Sequence, residues 1–182
     1  MPKPTATLNL EELHGIKETF TTSYCGLLEE ATILRLEEQG HQSGVAMEVD
    51  GSYSRTFRVI WGYTTNDGMR RCYQDEEQTT EWAACGIALL LIQKLTDYAP
   101  ISRSKRGTGF DYWLGPHQNI DDNIFQNKAR LEASGIRKGS DSQIDRRLRE
   151  KIDQPKPSDS TGLSVYAIVV EFSRPTSRIA QR

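Results

Sequence analysis

Residues 105–115, KRGTGFDYWLG, and residues 128–136, KARLEASGI, are the two runs on which the reading of this 182-residue chain turns. In both, aromatic and branched residues alternate with polar ones, the period-two pattern of a strand. Each run carries one carboxylate in an otherwise apolar stretch. If Phe110 to Leu114 is extended, Asp111 shares a face with Gly109 and Trp113, and in the second run Glu132 shares a face with Arg130 and Ser134. An uncompensated carboxylate inside a sheet is costly. If the two strands are neighbours, Asp111 and Glu132 converge on one point, where a divalent cation would offset their repulsion.

Spacing alone leaves a second account open, in which the two acids are unrelated structural carboxylates and Arg130, two residues away on the same face, neutralises Glu132. The glycines at 107, 109, 115 and 135 bracket both strands, as expected where backbone turns sharply or comes close to a ligand, and they tilt the reading toward a paired site.

The rest of the chain limits the function classes. With 36% hydrophobic and 26% charged residues it has the composition of an ordinary soluble protein, and residues 1–182 are read as a single domain. Its longest apolar run, Trp82 to Ile92, falls short of the roughly 18 to 20 residues of a membrane helix, and the N-terminus has no apolar signal core. A cytoplasmic location without a membrane partner is therefore expected. Cys25, Cys72 and Cys85 are odd in number and widely spaced, which fits reduced thiols better than a disulfide framework. His14, His41 and His117 are equally scattered, so no zinc spacing exists, and no phosphate-cradling P-loop is present. The net charge of −2 conceals an asymmetry: residues 1–50 hold 3 basic and 9 acidic side chains, whereas residues 101–182 hold 15 and 10. The half that carries the two carboxylates is thus basic overall, compatible with a polyanion-binding face or with a merely solvated surface.

Along the chain, Asn9-x-x-Glu12 resembles a capping box opening a helix near Leu10, and a second helix is expected from about Ser23 to Gln39. Val45–Val49, Thr56–Tyr63 and Met69–Tyr73, separated by Asp-Gly and Asn-Asp-Gly turns, read as an antiparallel meander. Asp75-x-x-Gln78 opens a long helix to about Tyr98, apolar nearly all round from Trp82 to Ile92 and stopped by Pro100. A strand from about Ile101, the Asp111 and Glu132 strands, a helix from Ser140 to Asp153 with Arg146, Arg147, Arg149 and Lys151 on or near its outer surface, and a strand over Leu163–Phe172 follow. The tail after Pro175 reads as polar and frayed.

From Gln78 onward the expected order is helix, strand, strand, strand, helix, strand, with Glu81 in the first helix, Asp111 on the second strand and Glu132 on the third. Over residues 78–172 this order resembles the core of the PD-(D/E)XK nuclease superfamily, the restriction-endonuclease-like fold. The expected class is accordingly α/β (α+β): a central mixed sheet flanked by helices, with that core at 76–174 and an extension of helices and β-meander at 1–75. In the family, the second-strand Asp and the Glu of a third-strand Glu-x-Lys bind magnesium, and the lysine helps activate the attacking water. The resemblance implies a magnesium-dependent nuclease acting on DNA, in a prokaryotic defence or mobile-element system. Asp111 and Glu132 would be the metal ligands, Glu81 an optional helper, and Arg103, Lys105, Arg106, Lys128 and Arg130 the nucleic-acid contacts. The core segments also look like those of small uncharacterised bacterial proteins.

This sequence departs from the family at Ser134, which stands where the catalytic lysine belongs and brings no positive charge. Either Lys105 or Lys128 reaches in from a neighbouring element, or the fold serves a catalytically inactive subunit that binds protein or nucleic acid in a larger complex or a homodimer.

Overall fold

The computed structural model describes residues 6–16, 19–116, 129–154, 160 and 162–182. In chain order its elements are β1 (Ala6–Asn9), a 3₁₀ helix (Leu10–Ile16), α1 (Thr22–Glu38), β2 (Val45–Gly51), β3 (Arg55–Ile60), α2 (Asp67–Cys72), α3 (Glu76–Leu95), β4 (Tyr98–Arg103), β5 (Tyr112–Pro116), β6 (Ala129–Ile136), α4 (Asp141–Asp153), β7 (Val165–Glu171) and β8 (Thr176–Gln181). The architecture is α+β, a single mixed sheet of eight strands in the order β1-β3-β2-β8-β7-β6-β5-β4, flanked by helices. That is the class the sequence predicts.

Helix α3 is the centre of the packing. The Asp75 side chain accepts from the Gln78 N–H at 2.9 Å, and Glu76 and Glu77 complement the positive end of the helix dipole. Ala83 through Ile92 are all buried, because one side of the helix lies on β6, β4 and β7 while the other receives α1 and the 3₁₀ helix. The helices meet closely at Gly86, where a Cβ would stand 2.6 Å from Thr32 Oγ1 and 3.2 Å from the Leu28 carbonyl oxygen. On the opposite side of the sheet α4 crosses β7, β8 and β6, and its N-terminus is closed by a reciprocal capping box between Ser140 and Gln143. β6 and β7 are buried almost throughout, as strands covered on both faces must be.

Four expectations change. Residues 69–72 are helical and Tyr73 caps the helix, in place of a third meander strand: the Asn66 side chain caps α2 by accepting from the Met69 N–H at 3.0 Å, and Met69 and Tyr73, four apart, are both buried. The first helix is a 3₁₀ helix, with Leu10, Leu13 and Ile16 at intervals of three all buried, and it follows a short parallel strand, β1, that the sequence reading omits. The long helix stops at Leu95, and Pro100 lies inside β4, an edge strand of the sheet among the described residues, where a missing N–H is tolerated. The tail after Pro175 is not frayed. It forms β8, parallel to β2 on one side and antiparallel to β7 on the other, with Ser177 and Ile179 turned inward.

Candidate functional site

The site arises where β5 and β6 part. Their pairing runs from Leu114↔Ala129 to Tyr112↔Leu131 and then ends, while β6 continues to Ile136. Beyond Leu131 no strand among the described residues bonds the N–H groups on that side of β6, and buried donors cannot be left orphaned. Side-chain carboxylates take over: the Ala133 N–H donates to Asp111 Oδ2 at 2.9 Å, and the Gly135 N–H donates to Glu81 Oε1 at 3.3 Å. Gly135 is glycine for a steric reason, since a Cβ there would stand 2.4 Å from the Thr80 carbonyl oxygen of α3. The same close approach brings Glu81 to the strand.

Asp111, just before β5, and Glu132, on β6, do converge. Glu132 is 2% exposed. Its carboxyl is pushed up to about 8, first by burial and then by the charge and direct contact of Asp111, against the opposing pull of Lys151. Lys151 Nζ lies 2.7 Å from Glu132 Oε1 and also reaches Gln154 Oε1 at 3.0 Å. Among the described residues the cation paired with Glu132 is therefore Lys151 of α4, and not Arg130 or Lys105. Arg147, one helical turn earlier, faces the same way and donates to Ser134 Oγ at 3.0 Å. Both side chains, expected on or near the outer surface of α4, are partly exposed there and reach from that surface to β6. The signal was available in the i, i+4 spacing of Arg147 and Lys151 on the helix flank that also carries Ile144 and Leu148.

Ser134 is fully buried and acts as a bridge, donating to Glu81 Oε1 at 3.1 Å while accepting from Arg147. Burial holds the Glu81 carboxyl above its ordinary range despite the Gly135 N–H and the nearby Lys151. A row of three carboxylates, Asp111, Glu132 and Glu81, thus follows the bare edge of β6, with Lys151 and Arg147 along its α4 side. No group of three or more His, Cys, Asp or Glu side chains suited to one metal ion occurs among the described residues, so Asp111 and Glu132 stand as a pair.

Those two carboxylates open into a cleft of about 550 Å³ whose rim includes Arg103, Lys105, Arg106, Phe110 and Gln154. Arg130, expected on that surface, is instead 2% exposed and donates to the Leu163 carbonyl, so it is unavailable to a nucleic-acid backbone. Lys128 lies outside the described residues. No described helix is long and apolar enough to cross a membrane. Compared with protein-family models, with curated proteins and with solved structures, the chain matches none.

Proposed function

We propose that the cleft is the centre of a magnesium-dependent nuclease acting on DNA. The observation that carries this reading is the convergence of Asp111 and Glu132 at the end of the β5–β6 pairing, facing a basic-rimmed cleft with Lys151 bonded to Glu132. The donors suit a hard cation: two carboxylates, one already oriented by the Ala133 N–H, are the set that magnesium takes together with water and a phosphate. Burial first, and the charge of Asp111 second, push the Glu132 carboxyl up to about 8 even with Lys151 in contact, and a cation between the two acids would relieve the second of these. Bound there by Asp111 and Glu132, the ion would supply charge neutralisation and polarise a phosphate oxygen. Lys151 supplies what Ser134 lacks, an ammonium beside the third-strand Glu that orients a water by hydrogen bonding and stabilises negative charge developing next to it. Glu81, held by Gly135 and Ser134, keeps Arg147 at the same edge.

The inactive-subunit reading rests on Ser134. Its hydroxyl is wholly engaged by Glu81 and Arg147, so this end of the row is internally satisfied and resembles a structural network. One experiment separates the two. Asp111→Asn should abolish magnesium-dependent cleavage of plasmid and oligonucleotide DNA while leaving circular dichroism and DNA binding unchanged. Lys151→Met should lower the cleavage rate by on the order of 10²- to 10⁴-fold. Wild-type protein that is folded yet inert with magnesium, manganese and cobalt sinks the nuclease and leaves the binding subunit.

A further inference from the structure

Arg103 ends β4 and lines the same cleft as Asp111 and Glu132. Its guanidinium carbon lies 5.7 Å from the centre of the Tyr24 ring and 6.0 Å from that of Tyr112. These rings come from distant parts of the chain, one from α1 and one from β5. They are fixed to each other by a hydroxyl-to-hydroxyl hydrogen bond of 2.5 Å, and Phe20 packs against both, with ring centres 5.4 and 5.9 Å away. Tyr112 is completely buried. The platform under Arg103 is therefore rigid, and an arginine laid over aromatic faces keeps its N–H fork aimed outward with little rotamer freedom left to lose on binding.

The guanidinium has no carboxylate partner among the described residues. Arg137, Arg147, Arg174 and Arg178, by contrast, each reach an Asp or Glu within 4.0 Å. A planar cation pre-positioned at the lip of a cleft, which feels the charge of Asp111 but forms no ion pair with a carboxylate among the described residues, keeps its N–H fork for a ligand and has the chemistry of a phosphate receptor. We infer that Arg103, held by Tyr24 and Tyr112, grips a backbone phosphate of the nucleic acid bound in the cleft, so that α1 and the segment before the core form part of the binding site. This rests on the reading of the cleft as a nuclease centre. It adds that the N-terminal extension is needed for substrate positioning and that the contact reads phosphate, not base.

The test uses the full chain and a fluorescein-labelled DNA duplex and single strand, with binding followed by anisotropy in calcium and cleavage in magnesium. Arg103→Gln should weaken binding about tenfold and reduce the slope of log affinity against log salt by about 1, uniformly across sequences. Arg103→Lys should recover the salt slope but not the affinity, since an ammonium cannot stack or fork. Tyr24→Leu, which changes no charge, should lose affinity while keeping the slope, and Tyr24→Phe, which keeps the ring but removes the bond to the Tyr112 hydroxyl, should fall between Tyr24→Leu and wild type. In cleavage assays the Arg103 and Tyr24 effects should fall mainly on KM. If Asp111→Asn abolishes cleavage while Arg103→Gln binds and cleaves like wild type, the clamp is wrong and the nuclease stands. If no cleavage occurs but binding depends on Arg103, the nuclease falls and the clamp stands. If neither form of DNA binds at any salt concentration, both fall.

Discussion

Glu37, at the opposite end of α1 from Tyr24, is a carboxylate whose surroundings hold it in the opposite state from Glu132. Burial works to raise its pKa. The Thr65 N–H and hydroxyl, at 2.8 and 2.7 Å, and the Trp61 indole N–H, at 3.0 Å, outweigh that and bring it below the ordinary range. A lowered carboxylate pKa contributes stability that is present above the unfolded-state value and disappears as pH falls through the folded-state value. Glu37→Gln should therefore cost about 1 to 3 kcal/mol at neutral pH in urea unfolding. The difference from wild type should close on acidification through the Glu37 titration, and a gap independent of pH would show that the carboxylate charge is not what Thr65 and Trp61 hold. Glu132 has one lysine and a neighbouring acid where Glu37 has three donors, and it stays protonated far higher. At this scale the sequence made the acids visible and hid their partners. Asp111 and Glu132 stand out as lone charges in apolar strands, whereas which cation meets Glu132 depends on how α4 is rotated over the sheet, and that is set by long-range packing. Arg130, two residues away in sequence, was the nearer choice and is the wrong one.

Among the elements, α3 is legible from sequence because its apolar run admits no exposed face, and α4 because its capping box and helical period agree. The short elements are not. β1 and β8 owe their extended state to partners on other parts of the sheet, and α2 spans fewer than two turns. The contact between α1 and α3 gives an element-scale prediction. Gly86→Ala places a methyl group 2.6 Å from the Thr32 hydroxyl and 3.2 Å from the Leu28 carbonyl oxygen, so either Thr32 turns and gives up its bonds to the Leu28 and Ala83 carbonyls or the helices shift apart. The expected loss is about 1 to 3 kcal/mol, read as a lower urea midpoint at unchanged m-value. Since Thr32 Oγ1 also donates to the Leu28 and Ala83 carbonyls, Thr32→Val should not rescue the double variant fully. An unchanged midpoint for Gly86→Ala would mean that the two helices are not in contact there.

For the molecule as a whole, the decisive strand is β8, which the polar composition of residues 176–182 disguises. It separates β2 from β7, joining the β1-β3-β2 group to the strands that carry the carboxylate pair. Arg178 reaches across from it to Asp50 of β2 at 2.6 Å and toward Asp141 and Asp145 of α4. The full chain is expected to melt in a single cooperative transition and deletion of residues 176–182 to abolish it, and a truncated chain that melts in one step at the wild-type temperature would show that the two strand groups do not depend on β8. The placement also bears on how the chain comes to be folded during synthesis. Asp50 and Arg178 are 128 residues apart in sequence, so β2 leaves the ribosome long before the strand that will cover its open side. Until then its amide edge is exposed to any extended segment nearby, its own or another chain's. Completion of the sheet is a late, non-local step, and a topology of this kind is expected to slow folding and to leave the β2 edge in need of shielding while translation proceeds.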